Sequence, residues 1–300
     1  MYFRLFVCFS IIVLASCTSC IQQWTNNHSQ NDLEQWKLRG KVKSLSEINY
    51  SQSGKYMTNI LFNKEGFVLE QSSFNPDGSL IRKWTNTYDN TNHKLTRKCY
   101  ILKDSLSYIM YYDYSKQGKL EESKQLQPDG TIRSRSSMRY DKDFNIVEEK
   151  TLGEKANVEN LTLHKYNNKK QIIEDIFIDS ISKKTWKLQF KYNMNGLTEE
   201  ISYLSINDSL LNLKKYTYLK NKKIYSIHFY DSKDKLISIT QYKYDKNDNI
   251  TEISEFQTGS KVQQKRTLQY KYDKHDNWTF VSEFLNDQPQ NITTHALTYY

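Results

Sequence analysis

Six histidines, four cysteines and a recurrent set of carboxylates are the residues of this 300-residue chain whose types suit chemistry. The histidines are His28, His93, His164, His228, His275 and His295. None belongs to an H-E-x-x-H pair, and no G-x-S-x-G elbow appears, so neither a zinc hydrolase nor a serine hydrolase is written here. General acid–base work needs two carboxylates held in different environments. Glu252, Glu255 and Glu283 instead recur with a repeat, as the solvated face of a sheet does. No catalytic, cofactor-binding or metal site is expected, and an enzyme is the least supported reading. Tyrosine is the other candidate, with 23 residues, because Tyr and Trp faces can hold sugar rings. Its spacing points first to packing.

Stepping back from Tyr244 in units of 26 lands on Tyr218, Tyr192, Tyr166, Tyr140, Tyr114, Tyr88 and Phe62; one step forward, lengthened to 28, reaches Tyr272. Twelve residues after each anchor comes an apolar residue: Phe74, Tyr100, Leu126, Leu152, Ile178, Leu204, Tyr230, Phe256 and Phe284. A unit of 12 plus 14 residues suits two short strands and two turns. Upstream of the anchors apolar residues alternate, as in Trp186, Leu188, Phe190 and Tyr192, which is the period of a strand with one buried face. After them come turn formers such as "FNKEG", "YSKQG" and "YNMNG", and the fourth residue is Gly, Asn or Asp in six of nine units. The anchors should form an inward aromatic ladder whose hydroxyls meet water.

The lines "YDKNDN" (Tyr244–Asn249) and "YDKHDN" (Tyr272–Asn277) resemble the Tyr-Asp-x-x-Gly-Asn core of YD repeats of Rhs-type proteins. The Gly place holds Asp248 and Asp276, and Phe144 in the unit of Asn145, so the repeats are degenerate. The resemblance implies an exported β-repeat protein, with carbohydrate as one contact. The fold class expected is all-β, an array of about nine to ten 26-residue antiparallel hairpins forming an elongated or curled sheet, with a degenerate first unit near Trp36. A transmembrane barrel would need strands of about 9–11 residues and an apolar outer band. Strands of about 6–8 residues, with Lys, Glu, Gln and Thr opposite the aromatics, argue against it.

Arg4 precedes an apolar run from Leu5 to Ala15, too short for a mature spanning helix and suited to a signal-peptide core. Its end, Leu14-Ala15-Ser16-Cys17, resembles the lipobox of bacterial lipoproteins. That resemblance implies cleavage between Ser16 and Cys17, and acylation of Cys17 as a membrane anchor. Residues 1–16 are then the signal, 17–35 an Asn/Gln-rich tether and 36–300 the repeat domain. With Cys8 removed and Cys17 acylated, Cys20 and Cys99 remain, too few for a disulfide framework. The formal charge of +9 falls to +8 once Arg4 leaves. The lysines lie singly between apolar residues, as in Tyr242-Lys243-Tyr244, so nucleic acid is not an expected partner.

Asp104-Ser105-Leu106, Asp179-Ser180-Ile181 and Asp208-Ser209-Leu210 resemble the O-glycosylation acceptors of one group of Gram-negative bacteria. That makes Ser105, Ser180 and Ser209 candidate glycan sites. The whole reads as a lipoprotein of the bacterial envelope, outer membrane rather than inner, whose β-repeat surface binds a glycan or another envelope protein. The alternative is a structural or immunity-type repeat protein, MORN-related in the loosest sense, with no small ligand.

Overall fold

A computed structural model describes residues 31–101, 104–259 and 263–300. After one helical turn, α1 (Asp32–Gln35), every element is a strand. The first ten are β1 (Val42–Ser51), β2 (Gly54–Phe62), β3 (Val68–Phe74), β4 (Leu80–Tyr88), β5 (Lys94–Ile101), β6 (Ser105–Tyr114), β7 (Leu120–Leu126), β8 (Ile132–Tyr140), β9 (Ile146–Gly153) and β10 (Val158–Tyr166). The second ten are β11 (Ile172–Asp179), β12 (Lys184–Tyr192), β13 (Thr198–Ser205), β14 (Leu210–Tyr218), β15 (Ile224–Asp231), β16 (Leu236–Tyr244), β17 (Ile250–Gln257), β18 (Gln263–Tyr272), β19 (Trp278–Leu285) and β20 (Gln288–Tyr299). Each pairs antiparallel with its sequence neighbours, and β20 pairs with β1 through partners such as Leu297 with Leu45 and His295 with Glu47.

The sheet therefore closes. The expected elongated or curled open sheet is wrong: the chain is a 20-stranded antiparallel barrel. The ceiling of about ten strands applies to twisted open sheets, and closure lifts it while removing both edges. The β1–β20 pairing joins residues some 250 positions apart, beyond the reach of any local pattern. Nine strands have the expected length, 7 or 8 residues; the other eleven run to 9–12. The degenerate first unit is the strand pair β1–β2; only its anchor place departs, since Trp36 caps α1 instead of ending a strand.

The hairpins form for the reasons their sequences carry. In the first, Gly66 N–H donates to the Asn63 carbonyl, and the Asn63 side-chain oxygen accepts from Phe67 N–H at 2.8 Å. Asp89, Asp141, Asp245 and Asp273 repeat the device. The fourth residue after the anchor has positive φ in all nine units, including Phe144 (62°), Lys170 (60°) and Lys222 (67°). Backbone geometry there overrides residue preference.

Just after each such turn the pairing slips by one residue, a β-bulge: Phe62 faces Val68 while Leu61 faces Glu70. A bulge leaves a carbonyl open, and the next anchor fills it. Tyr88 hydroxyl donates to the Val68 carbonyl at 2.8 Å, Tyr140 to Leu120 at 2.8 Å, Tyr166 to Ile146 at 2.8 Å and Tyr192 to Ile172 at 2.7 Å. Tyr114, Tyr218 and Tyr244 do the same. The spacing is always 20 residues, the 26 of the repeat less the 6 separating anchor from bulge. These seven hydroxyls are thus backbone-bonded, not the wet edge expected; the anchor Tyr272 bonds the Asp245 and Asn249 side chains instead, and Tyr270 takes the Ile250 carbonyl. Burial pushes their pKa values up, to about 12 for Tyr114 and Tyr218.

Candidate functional site

The register sorts side chains onto two faces. The anchors share theirs with Leu45, Ile60, Cys99, His164, Asp175, Leu188, Ile201, Ile227 and His295, all buried. Leu33 of α1 packs on this face against Leu45, Ile60 and Phe62. The opposite face carries ion pairs at one height, Arg139–Glu148, Lys165–Glu174, Lys191–Glu200 and Lys243–Glu252, whose lysines are 63–70% exposed. The crowded anchor face is the concave one. Twenty strands about 4.8 Å apart, tilted some 40°, enclose a ring on the order of 40 Å across. Most concave side chains stay part-exposed, so the ring holds a solvated lumen.

The two rims differ. The anchor turns line one, the tyrosine rim, and α1 seats there: Leu33 N–H donates to the Gly66 carbonyl and Asp32 accepts from Val68 N–H at 2.6 Å. Farther along, the Asn277 amide clips the Arg39 backbone, accepting its N–H at 2.7 Å and donating to its carbonyl at 2.8 Å. The far rim holds the other turns. There the +12 residues, from Phe74 to Phe284, fall on the convex face, opposite the anchors. Both faces carry charge at mid-strand: the convex one Lys83, Lys124, Lys187 and Lys215, the concave one Glu47, Arg97, Glu149, Lys214 and Glu255. Each charge facing hydrocarbon would cost about 2–4 kcal/mol at mid-depth.

Two histidine–carboxylate pairs are set in the concave wall, on β10 and β20, ten strands apart and so facing each other across the ring. His164, with its side chain 2% exposed, holds Asp175 through Nδ1 at 2.6 Å. Its Nε2 lies 3.4 Å from Glu149 without hydrogen-bond geometry. Burial opposes charge on His164, but the Asp175 hydrogen bond and Glu149 outweigh it and raise its pKa to about 9. The second pair is His295 Nε2 with Glu47 at 2.9 Å, its ring stacked on Trp278. Sequence spacing showed neither pair. Counting parity from the anchor would have placed His164, two before Tyr166, on the concave side.

Of the expected sites, Ser105, Ser180 and Ser209 all fall on the far rim, in or beside the turns opening β6, β12 and β14. Ser16 and Cys17 lie outside the described residues. His93, five residues after Tyr88, stacks on the next anchor Tyr114 at 4.7 Å, and His275, three residues after Tyr272, meets the Tyr299 ring at 4.4 Å in a tilted contact. Among the described residues, no group of His, Cys, Asp and Glu is arranged to hold a metal ion.

No family model and no curated protein matches the chain. Solved structures show distant likenesses. A chain of the Photorhabdus luminescens Tc holotoxin pore aligns at 13% identity and a TM-score of 0.44 over 76% of this chain; the match spans 14% of that one. A porin-like protein from Bacteroides uniformis aligns at 10% identity and a TM-score of 0.41, covering 87% of this chain and 99% of its own. Another from Bacteroides vulgatus reaches 0.35 at 10% identity, covering 86% and 98%. At such scores none of them says what this barrel binds.

Proposed function

We propose that the protein is a lipid-anchored binding barrel of the bacterial envelope, held to the outer membrane through acylated Cys17, which takes up its ligand in the lumen. It acts by binding, not by catalysis. The observation carrying this reading is the concave wall, where part-exposed aromatics alternate with amides, hydroxyls and carboxylates, as in Asn160, Thr162, Phe177 and Trp186. Such a surface offers stacking and directional hydrogen bonds together. The tether sets the orientation. It enters beside α1 at the tyrosine rim, so that rim faces the membrane and the far rim, with Ser105, Ser180 and Ser209, faces outward.

Two measurements test the proposal. A clickable palmitate should label the full chain, and Cys17→Ala should abolish the label and release the protein from membranes; an unlabelled, soluble wild type overturns the anchoring. In a Cys20→Ser background, a bulky maleimide on Ser205→Cys, inside the ring, should block capture of purified outer-membrane glycans. The same group on Lys187→Cys, outside it, should not. Equal blocking by both overturns the lumenal reading.

A further inference from the structure

The concave wall carries three tryptophans that can be compared directly. Trp278 is covered: His295 stacks on it with centroids 3.4 Å apart, and Tyr270 meets it edge-on at 6.2 Å. Trp84 is engaged too, with the Arg82 guanidinium over its ring at 5.3 Å and Nε1 toward the Tyr108 hydroxyl at 3.5 Å. Trp186 is different. Phe177 supports one side in near-parallel stacking, 5.3 Å and 11°, while its partner on the other strand is Ser205, whose hydroxymethyl covers little. Trp186 as a residue is 37% exposed. A ring braced on one face and open on the other is a platform.

Its surroundings are polar in a particular way. Thr162 pairs with Phe177 on one side and Glu149 on the other, and Asn160 sits two residues nearer the far rim. Among the described residues, neither Asn160 nor Thr162 makes a side-chain hydrogen bond. Glu149 is 41% exposed and touches only the edge of His164, whose buried Nε2 has no hydrogen-bonding partner. Apart from Lys184 at the lip and the paired His164, the concave face of β9 to β12 has no cation, so phosphates would find acids and nothing to neutralise them. An acyl chain would be interrupted by Asn160, Thr162 and Glu149. A sugar matches both halves: its C–H face packs on an indole, and its hydroxyls donate to Glu149 and exchange hydrogen bonds with Asn160 and Thr162.

We infer that the lumenal wall from β9 to β12 is an oligosaccharide site, with Trp186 as the stacking platform and Glu149, Asn160 and Thr162 as the hydroxyl-binding groups. Four strands about 4.8 Å apart span about 14 Å, room for about two to three sugar rings. The inference rests on the lumenal reading above and names its ligand class.

The test uses the full-length lipidated protein in micelles, titrated with chitotriose, maltotriose, cellotriose and mannotriose by calorimetry and tryptophan emission. At least one trisaccharide should bind and shift the emission. Trp186→Ala should weaken that binding at least about tenfold and remove most of the shift, Glu149→Gln should weaken it several-fold, and Trp84→Ala should leave it unchanged. Should Trp186→Ala melt early, Trp186→Tyr is read instead, and it should retain partial affinity. No binding of any of the four, with Cys17 still acylated, overturns the sugar site and leaves the anchoring standing. Binding that ignores Trp186 overturns this site and leaves the lumen as the place of uptake.

Discussion

At the tyrosine rim a hairpin such as Tyr140–Ile146 turns its apolar pair inward, and the hydroxyl of the next anchor, Tyr166, closes the bulge carbonyl. At the far rim, Leu126–Ile132 makes the same turn and the same slip, but its pair points outward and no hydroxyl reaches back. Gly66 and Gly78 show the contrast in miniature. Both have φ above 80°, yet a Cβ on Gly66 would stand 2.7 Å from Asn31 and 2.9 Å from Leu33, and one on Gly78 would meet nothing within 4 Å. One rim is welded to its neighbours and to α1. The other lacks the tyrosine hydroxyl bonds, and its ties to neighbouring strands are backbone bonds such as Ser180 N–H to the Glu159 carbonyl and Asn286 N–H to the Lys265 carbonyl.

The largest difference should appear on truncating aromatics. Phe62→Ala, at a fully buried anchor, should cost about 3–5 kcal/mol in urea unfolding, and Phe74→Ala, on the convex far rim, much less. Equal losses would mean the rims are energetically alike. Next come the hydroxyls: Tyr166→Phe orphans the Ile146 carbonyl and should cost about 1–3 kcal/mol, whereas Tyr100→Phe should stay within about 0.5 kcal/mol. Gly66→Ala should destabilise more than Gly78→Ala, since both strain the backbone and only the first also collides with α1. The smallest effect is a gain: Lys222→Gly should stabilise by about 0.5–1 kcal/mol by relieving a left-handed lysine.

Alkali should find the same asymmetry. His164 is raised from 6.5 to about 9, so its contribution is complete below pH 6.5 and disappears as pH rises through about 9; His164→Gln should flatten that limb of a stability–pH curve. The tyrosines are raised from 10 towards about 12, so unfolded chains ionise first and stability should fall from pH 10 upward. Tyr166→Phe should blunt that second fall.

The repeat, its turns and its strand alternation were readable because each is local: Asn63 and Gly66 act within one hairpin, and Trp186, Leu188 and Phe190 within one strand. Ring closure was not, because Leu45 and Leu297 meet only after everything between them has folded. The tyrosine role was half readable. Spacing marked the anchors as packed, but the acceptor at minus 20 emerges only once the bulge is known. The wall site escaped notice because Glu149, His164 and Trp186 come from three hairpins, joined by register alone.

Because each unit adds two staves to a hoop, the number of repeats is a gauge of bore. Inserting or deleting one 26-residue unit would change the diameter by about 4 Å while leaving every turn and tyrosine clasp as it was. Duplication in the gene would then yield a graded series of apertures, each with the same rims and a different size of guest.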